Sequence, residues 1–72
     1  MMFVMIKNNV STLIGGRKLT IAETARIAGL KYNTVYNLYY DKTSSIEFTT
    51  LEKLCYALEC TPNDILKYIP QN

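Results

Sequence analysis

A glycine between two short helical segments constrains this chain more than any other feature of its sequence. The segment Thr20-Ile-Ala-Glu23 has the spacing of a capping box, in which a threonine oxygen and a glutamate carboxylate accept the free backbone N–H groups of a helix start. Gly29 is predicted to stop this helix, the second of the chain, because glycine adopts a positive φ without steric cost. A third helix is predicted from about Tyr32 to Tyr39, and the small Ala25 lets the two helix axes approach closely.

The third helix has an apolar side and a polar, aromatic side. Val35 and Leu38 are three residues apart, so they are predicted to anchor its inner face, with Leu30 filling the corner. The other side chains can donate, accept and make apolar contact, and a helix with such a face fits the major groove of DNA. This layout is typical of a helix-turn-helix, although a plain corner between two helices would show the same apolar spacing. The outward residues are Lys31, Tyr32, Asn33, Tyr36 and Asn37.

One more helix is predicted before this unit and another after it. Asn9 is predicted to cap a first helix that passes through Val10, Leu13 and Ile14, and Gly15–Gly16 is predicted to end it. A second capping box, Thr49-Thr-Leu-Glu52, is predicted to start a fourth helix. The apolar stripe of that helix follows helical spacing through Leu51, Leu54, Cys55 and Leu58.

A fifth, short helix is predicted near the end of the chain. Thr61 would cap it, Pro62 would occupy its first position, and Pro70 would end it. Its apolar side would carry Ile65, Leu66 and Ile69. Strand signals are almost absent, so the predicted fold class is all-α.

Charge is distributed unevenly along the 72 residues. Residues 1–42 hold six basic and two acidic side chains, a net charge of +4, whereas residues 43–72 have a net charge of −2. A basic first half indicates one face for a polyanion, although a chance imbalance of a few charges would look the same. No apolar run reaches the roughly 20 residues that span a bilayer, and the apolar start is too short for a signal peptide. We expect a cytoplasmic protein.

The residues that carry enzyme chemistry are scarce. The chain has no histidine, and its two cysteines, Cys55 and Cys60, do not form a C-x-x-C pair, so we expect no zinc or other metal site. Cys55 falls on an apolar helical face and is interpreted as a small core residue. No convergent pair of carboxylates is visible. We therefore expect neither an enzyme nor a cofactor.

The wider sequence resembles the phage repressor and Cro type of helix-turn-helix family across about residues 6–70. The resemblance rests on "LTIAETARIAGLKYNTVYNLYYDKT" followed by "IEFTTLEKLCYALECTPNDILKYIP". It implies a compact bundle of five short helices, similar to the DNA-binding domain of lambda repressor, whose second and third helices read DNA. A single such domain would cover residues 1–72, with residues 1–5 as an apolar N-terminal extension. The family's motif positions imply base contacts from Lys31, Tyr32, Asn33, Thr34 and Asn37, and phosphate contacts from Thr20, Tyr40, Lys42 and Thr43.

Three positions depart from the family's pattern. Ile21 stands where a phosphate-binding glutamine is common, and Lys31 stands where a serine or threonine often caps the third helix. Asp41 replaces a glycine common in the following loop.

The resemblance implies a sequence-specific regulator of transcription of phage or bacterial origin, expected to be a repressor that binds double-stranded DNA as a homodimer. The candidate dimer surfaces are the last helix, with Tyr68 and Ile69, and the apolar start Met2–Ile6. An alternative is a modulator or antirepressor on the same fold that docks on another regulatory protein. Its docking surface would carry tyrosines, which are enriched at interface cores, namely Tyr32, Tyr36, Tyr39 and Tyr40.

Overall fold

The computed structural model describes the backbone of residues 3–71 and the side chains of residues 6–70. Within this range, one strand is followed in sequence by five short helices and a second strand. None of the helices in this range is long and apolar enough to cross a membrane. In chain order the elements are β1 (Phe3–Asn8), α1 (Val10–Gly16), α2 (Ile21–Ala28), α3 (Tyr32–Tyr39), α4 (Phe48–Leu58), α5 (Pro62–Ile65) and β2 (Leu66–Gln71).

A single apolar core joins all five helices. Its members share nearly complete burial: Val10, Ile14, Ala25, Val35, Leu38, Leu54, Leu58 and Ile65. Cys55 and Cys60 are half-buried free thiols that pack against this core, as predicted for Cys55. Burial raises the pKa of the Cys60 thiol above its ordinary value.

The first four helices end with the same backbone geometry, a left-handed residue followed by a bond back to the last turn. In α2, for example, the N–H of Leu30 donates to the carbonyl of Ala25 at 2.9 Å, after Gly29 has reversed the chain at φ 69°. The left-handed residue is a glycine only there. At the ends of α1, α3 and α4 it is Lys18, Asp41 and Glu59, with φ of 57°, 56° and 50°.

The prediction that Gly15–Gly16 ends α1 is confirmed, and the chain reversal follows at a residue that is not glycine. Gly15–Gly16 forms the last turn of α1, and Lys18 takes the left-handed conformation two residues later. The side chain of Arg17 contacts the end of α4, where its guanidinium donates to the carbonyl of Leu58 at 2.8 Å and pairs with the carboxylate of Glu59 at 3.0 Å. The turn after α1 therefore helps to hold the left-handed end of α4.

One of the two predicted capping boxes forms. At the start of α2, Thr20 Oγ1 accepts from the N–H of Glu23 at 3.0 Å, and the Glu23 carboxylate accepts from the N–H of Thr20 at 2.9 Å. The box predicted over residues 49–52 is wrong, because α4 begins at Phe48. The extended residue before it is Glu47, whose carbonyl already accepts the N–H of Leu51 at 2.9 Å.

The ends of the described chain pair as two antiparallel strands, which corrects the all-α prediction. The register runs from Phe3 opposite Gln71 to Asn8 opposite Leu66. The predicted fifth helix stops at Ile65, because Leu66 turns to extended backbone, with φ −115° and ψ 132°. Residues 3–5 of the predicted N-terminal extension belong to β1, while Met1 and Met2 lie outside the described residues.

We call this pair of strands the ribbon. Its base joins the helices through the backbone N–H of Asn9, which donates to the carbonyl of Ile65 at 2.7 Å. Farther out, Ile6 and Tyr68 face each other in the register, and their side chains are 64% and 61% exposed. Among the side chains that the structure describes, Leu66 at the base of the ribbon packs against the core.

Candidate nucleic-acid interface

The corner between α2 and α3 is built from small buried residues and one left-handed glycine. Ala25 and Ala28 are buried, as is Thr24, whose hydroxyl donates to the carbonyl of Thr20 at 3.0 Å. A Cβ built on Gly29 would meet no atom within 4 Å, so glycine is favoured there for its positive φ and not for space. The sequence prediction for this corner is confirmed in its residues and its boundaries.

Helix α3 presents one face to the core and the opposite face to solvent. Val35 and Leu38 are buried, at 0% and 3% exposure. Successive residues of an α-helix are about 100° apart around its axis, so Asn33 points most directly away from these two anchors. Asn33 is exposed, and the polar residues of the next turn flank its direction.

One side of this outward face is a continuous row of tyrosines. The ring centroids of Tyr32 and Tyr36 are 6.0 Å apart, and those of Tyr36 and Tyr40 are 4.8 Å apart. We call these three residues the tyrosine row. The ring of Tyr39 meets Tyr40 edge-on at 4.8 Å, and the ammonium of Lys42 lies 5.4 Å from the centroid of Tyr36.

The tyrosine row joins two residues that sequence reasoning had assigned to different tasks. Tyr32 was predicted to contact bases and Tyr40 to contact phosphates, whereas the structure places them on one surface with Tyr36 between them. Tyr36 is not among the predicted DNA-contact residues. Its spacing of four residues from each neighbour is the sequence signal that identifies it, because residues at i and i+4 are adjacent on a helix.

The other side of the outward face carries an amide and two hydroxyls. Asn37 and Thr34 are half-buried and line a shallow groove between α3 and the start of α4. Thr43 lines the same groove. Lys42, its neighbour in sequence, lies instead over the tyrosine row. The loop after α3 thus supplies one predicted phosphate contact to each side of the helix.

Thr20 and the two ends of the tyrosine row line the same cleft at the start of α2. This cleft is lined by Thr20 and Ile21 from the α2 end and by Tyr32 and Tyr40 from the α3 end. Ile21 is half-buried and packs against the core, which explains why an apolar residue occupies this position. The Glu23 carboxylate already accepts the N–H of Thr20, so an incoming anion would find that donor engaged.

The two remaining departures from the family's pattern lie at the two ends of α3. Lys31 precedes the helix with extended backbone and makes no side-chain cap, and it is exposed to solvent. Asp41 adopts the left-handed conformation that a glycine would take, and the N–H of Lys42 then donates to the carbonyl of Asn37 at 2.7 Å. The Asp41 carboxylate accepts from the side-chain amide of Asn8 at 2.6 Å.

Asn8 is a residue whose importance sequence reasoning missed. Its amide nitrogen donates to Asp41, and its amide oxygen accepts the N–H of Val10 at 3.0 Å. The residue therefore connects the ribbon, the start of α1 and the end of α3. The 33 positions between Asn8 and Asp41 leave no local pattern that could have revealed this contact.

Comparisons with known proteins agree with this geometry. The profile of the Cro/C1-type HTH DNA-binding domain family matches residues 9–71. The chain is also similar to an uncharacterized HTH-type transcriptional regulator, YozG, of Bacillus subtilis (strain 168). The two are 35% identical over 60 residues, which cover 83% of this chain and 71% of the relative. The chain belongs to the Cro/C1-type family of helix-turn-helix DNA-binding domains.

Proposed function

We propose that this protein is a sequence-specific regulator of transcription, acting as one domain that places α3 in the major groove of DNA. The observation that supports this most directly is the outward face of α3, where amides, hydroxyls and aromatic rings lie opposite the buried Val35 and Leu38. The name of the similar Bacillus subtilis protein supports a role in transcription.

The proposed contacts follow the geometry of the helix. Asn33 reads a base edge, because it points straight outward and an asparagine amide can pair with adenine through two hydrogen bonds. Lys31, Tyr32, Thr34 and Asn37 supply the other proposed base contacts. Phosphates would be held around the helix by Thr20, Tyr40, Lys42 and Thr43, since such contacts fix the position of a protein on DNA without reading sequence.

We further propose a homodimer that represses transcription by occupying its site. Each strand of the ribbon has one edge without a partner among the described strands, and strand edges pair readily with a second chain. The exposed pair Ile6 and Tyr68 would be covered in such a dimer. Two copies would contact half-sites roughly 34 Å apart. Sedimentation that shows a monomer both free and on DNA would contradict the dimer.

Two substitutions test the placement of α3. A preferred duplex is first selected from a randomised 20-base-pair library, and binding is then measured on that duplex and on random DNA. Asn33→Ala should weaken binding to the preferred duplex by about 1–3 kcal/mol and relax the choice of one base pair. Lys42→Ala should weaken binding to both DNAs alike and reduce the dependence of log K on log salt by about one unit.

Asn63→Ala is a matched control for the asparagine, because Asn63 is exposed on the separate helix α5. It should leave both affinities unchanged. If Asn33→Ala and Lys42→Ala have the same effect on preferred and random DNA, α3 is not the reading helix.

The tyrosine row favours a second candidate function, docking on another regulatory protein. Tyr32 and Tyr40 are about half exposed, at 49% and 52%, and tyrosine is enriched at the centres of protein interfaces. A salt titration separates the two functions, because binding driven by phosphates weakens steeply as salt rises. A docking module would bind duplex DNA weakly at every physiological salt concentration.

A further inference from the structure

Helix α3 lacks the side chains that most often read guanine. Its sequence, YNTVYNLY, contains no arginine or lysine, and the nearest cations are Lys31 before it and Lys42 after it. Bidentate contacts from arginine or lysine are the commonest way to recognise guanine in the major groove, whereas asparagine pairs with adenine. The helix itself therefore carries chemistry suited to A·T pairs, and Lys31, just before it, is the one proposed base contact that suits guanine.

We propose that the tyrosine row recognises thymine through its C5-methyl group, with Tyr36 as the central specificity-determining residue. This inference rests on the proposed function, since it requires α3 to lie in the major groove. Thymine is distinguished there by its methyl group, which apolar surfaces contact. The tyrosine row is the aromatic surface on the outward face of α3, immediately beside Asn33. Asn33 and the row would then read adenine and thymine on neighbouring positions.

The packing of the row prepares it for this contact. Tyr36 is half-buried between its two neighbours, with ring centroids 6.0 and 4.8 Å away, so its ring is held in place before DNA arrives. A tyrosine has only two side-chain torsions, and little freedom remains to be lost on binding. The Lys42 ammonium lies 5.4 Å from the centroid of the same ring and brings a positive charge to the row, where a phosphate can meet it.

Three alternating DNA copolymers test the inference directly. Poly(dA-dT) and poly(dA-dU) present the same hydrogen-bonding groups in the major groove and differ only in the methyl, while poly(dG-dC) presents guanine. The wild-type protein should bind poly(dA-dT) about fourfold more tightly than poly(dA-dU) for each methyl it buries. It should bind poly(dG-dC) most weakly of the three.

Two Tyr36 variants and one control identify the residue. Tyr36→Ala should bind poly(dA-dT) and poly(dA-dU) equally, with an unchanged dependence on salt, and circular dichroism checks that it is folded. Tyr36→Phe keeps the ring and should keep the discrimination, so it remains informative if the alanine variant does not fold. Tyr56→Ala removes a tyrosine that is 76% exposed on α4 and should behave as wild type.

The possible failures are distinguishable. Salt-dependent DNA binding by the wild-type protein with no difference between the thymine and uracil polymers overturns the inference and leaves the proposed function intact. Discrimination that persists in Tyr36→Ala overturns the assignment to Tyr36. Absence of binding to all three polymers at low salt overturns the proposed function, and this inference with it.

Discussion

The helix-turn-helix and the ribbon are each stabilised by a different kind of interaction. In the α2–α3 unit the key bond joins Leu30 to Ala25, only five residues apart, and the anchors Val35 and Leu38 are buried in the common core. In the ribbon, strands from the two ends of the chain are paired, and the side chains of Ile6 and Tyr68 are mostly exposed. The first region relies on packing and a turn, the second on backbone pairing between distant residues.

This difference predicts how each region responds to change. Burial of apolar side chains contributes more to stability than the pairing of two strands does. The helix-turn-helix should therefore be sensitive to single core substitutions. A two-stranded ribbon is only marginally stable by itself. It should therefore depend on the few contacts at its base, and substitutions farther out should have small effects.

The largest effect is expected from truncation of a core anchor of α3. Leu38→Ala should lower the free energy of unfolding by about 2–5 kcal/mol, because Leu38 is 3% exposed and its removal leaves a cavity. Ile6→Ala, at an exposed position of the ribbon, should lower it by less than about 0.5 kcal/mol. Urea denaturation measures both. Equal losses would show that the ribbon is as strongly packed as the helices.

The next effect tests the turn between α2 and α3. Gly29→Ala should lower the free energy of unfolding by about 1–2 kcal/mol, since alanine at φ 69° is strained even though space is open. Gly15→Ala should act in the opposite direction and raise it by about 0.5–1 kcal/mol, because Gly15 is helical and its Cβ would also meet open space. Thermal melts of the two variants check the signs, and a loss of stability in Gly15→Ala would contradict the assigned end of α1.

Gly29 shows why the sequence predicts one chain reversal well and the other three poorly. Signals such as the Thr20 capping box and Gly29 act within a few residues, so the pattern alone located α2, the turn and α3. Lys18, Asp41 and Glu59 adopt left-handed backbone without being glycine, so no residue type marked those chain reversals.

The two strands are not predicted from the sequence, for a different physical reason. Leu66 and Ile69 have an apolar spacing that also suits a helix, and their extended backbone is set by pairing with β1 at the other end of the chain. The tyrosine row lies between these two cases. Its spacing is visible in the sequence, but the position of Lys42 over Tyr36 depends on the left-handed turn at Asp41.

A smaller effect should follow from cutting the connection between the ribbon and α3. Asn8→Ala removes a hydrogen bond to Asp41 and one from the N–H of Val10, and it should lower the free energy of unfolding by about 0.5–1.5 kcal/mol. Hydrogen exchange of the β1 amides should accelerate more than exchange in α3. Asp41→Asn keeps an acceptor oxygen and should change both quantities less. If exchange accelerates equally in α3, the ribbon and the helix-turn-helix unfold as one unit.

The smallest effect concerns a repulsion within the ribbon. Lys7 and Lys67 are direct partners in the register, both are exposed, and like charges opposite each other destabilise a strand pair. Lys7→Glu converts the repulsion to attraction and should raise the free energy of unfolding by about 0.2–1 kcal/mol, with a smaller gain at high salt because salt screens exposed charges. Lys53→Glu, an exposed lysine on α4, makes the same change in net charge and serves as the control. The double variant Lys7→Glu/Lys67→Glu restores a like pair and should lose the gain. If Lys7→Glu slows hydrogen exchange in β1 without raising the midpoint of global unfolding, the ribbon opens independently of the helices. If neither quantity changes, the two lysines do not interact across the strands.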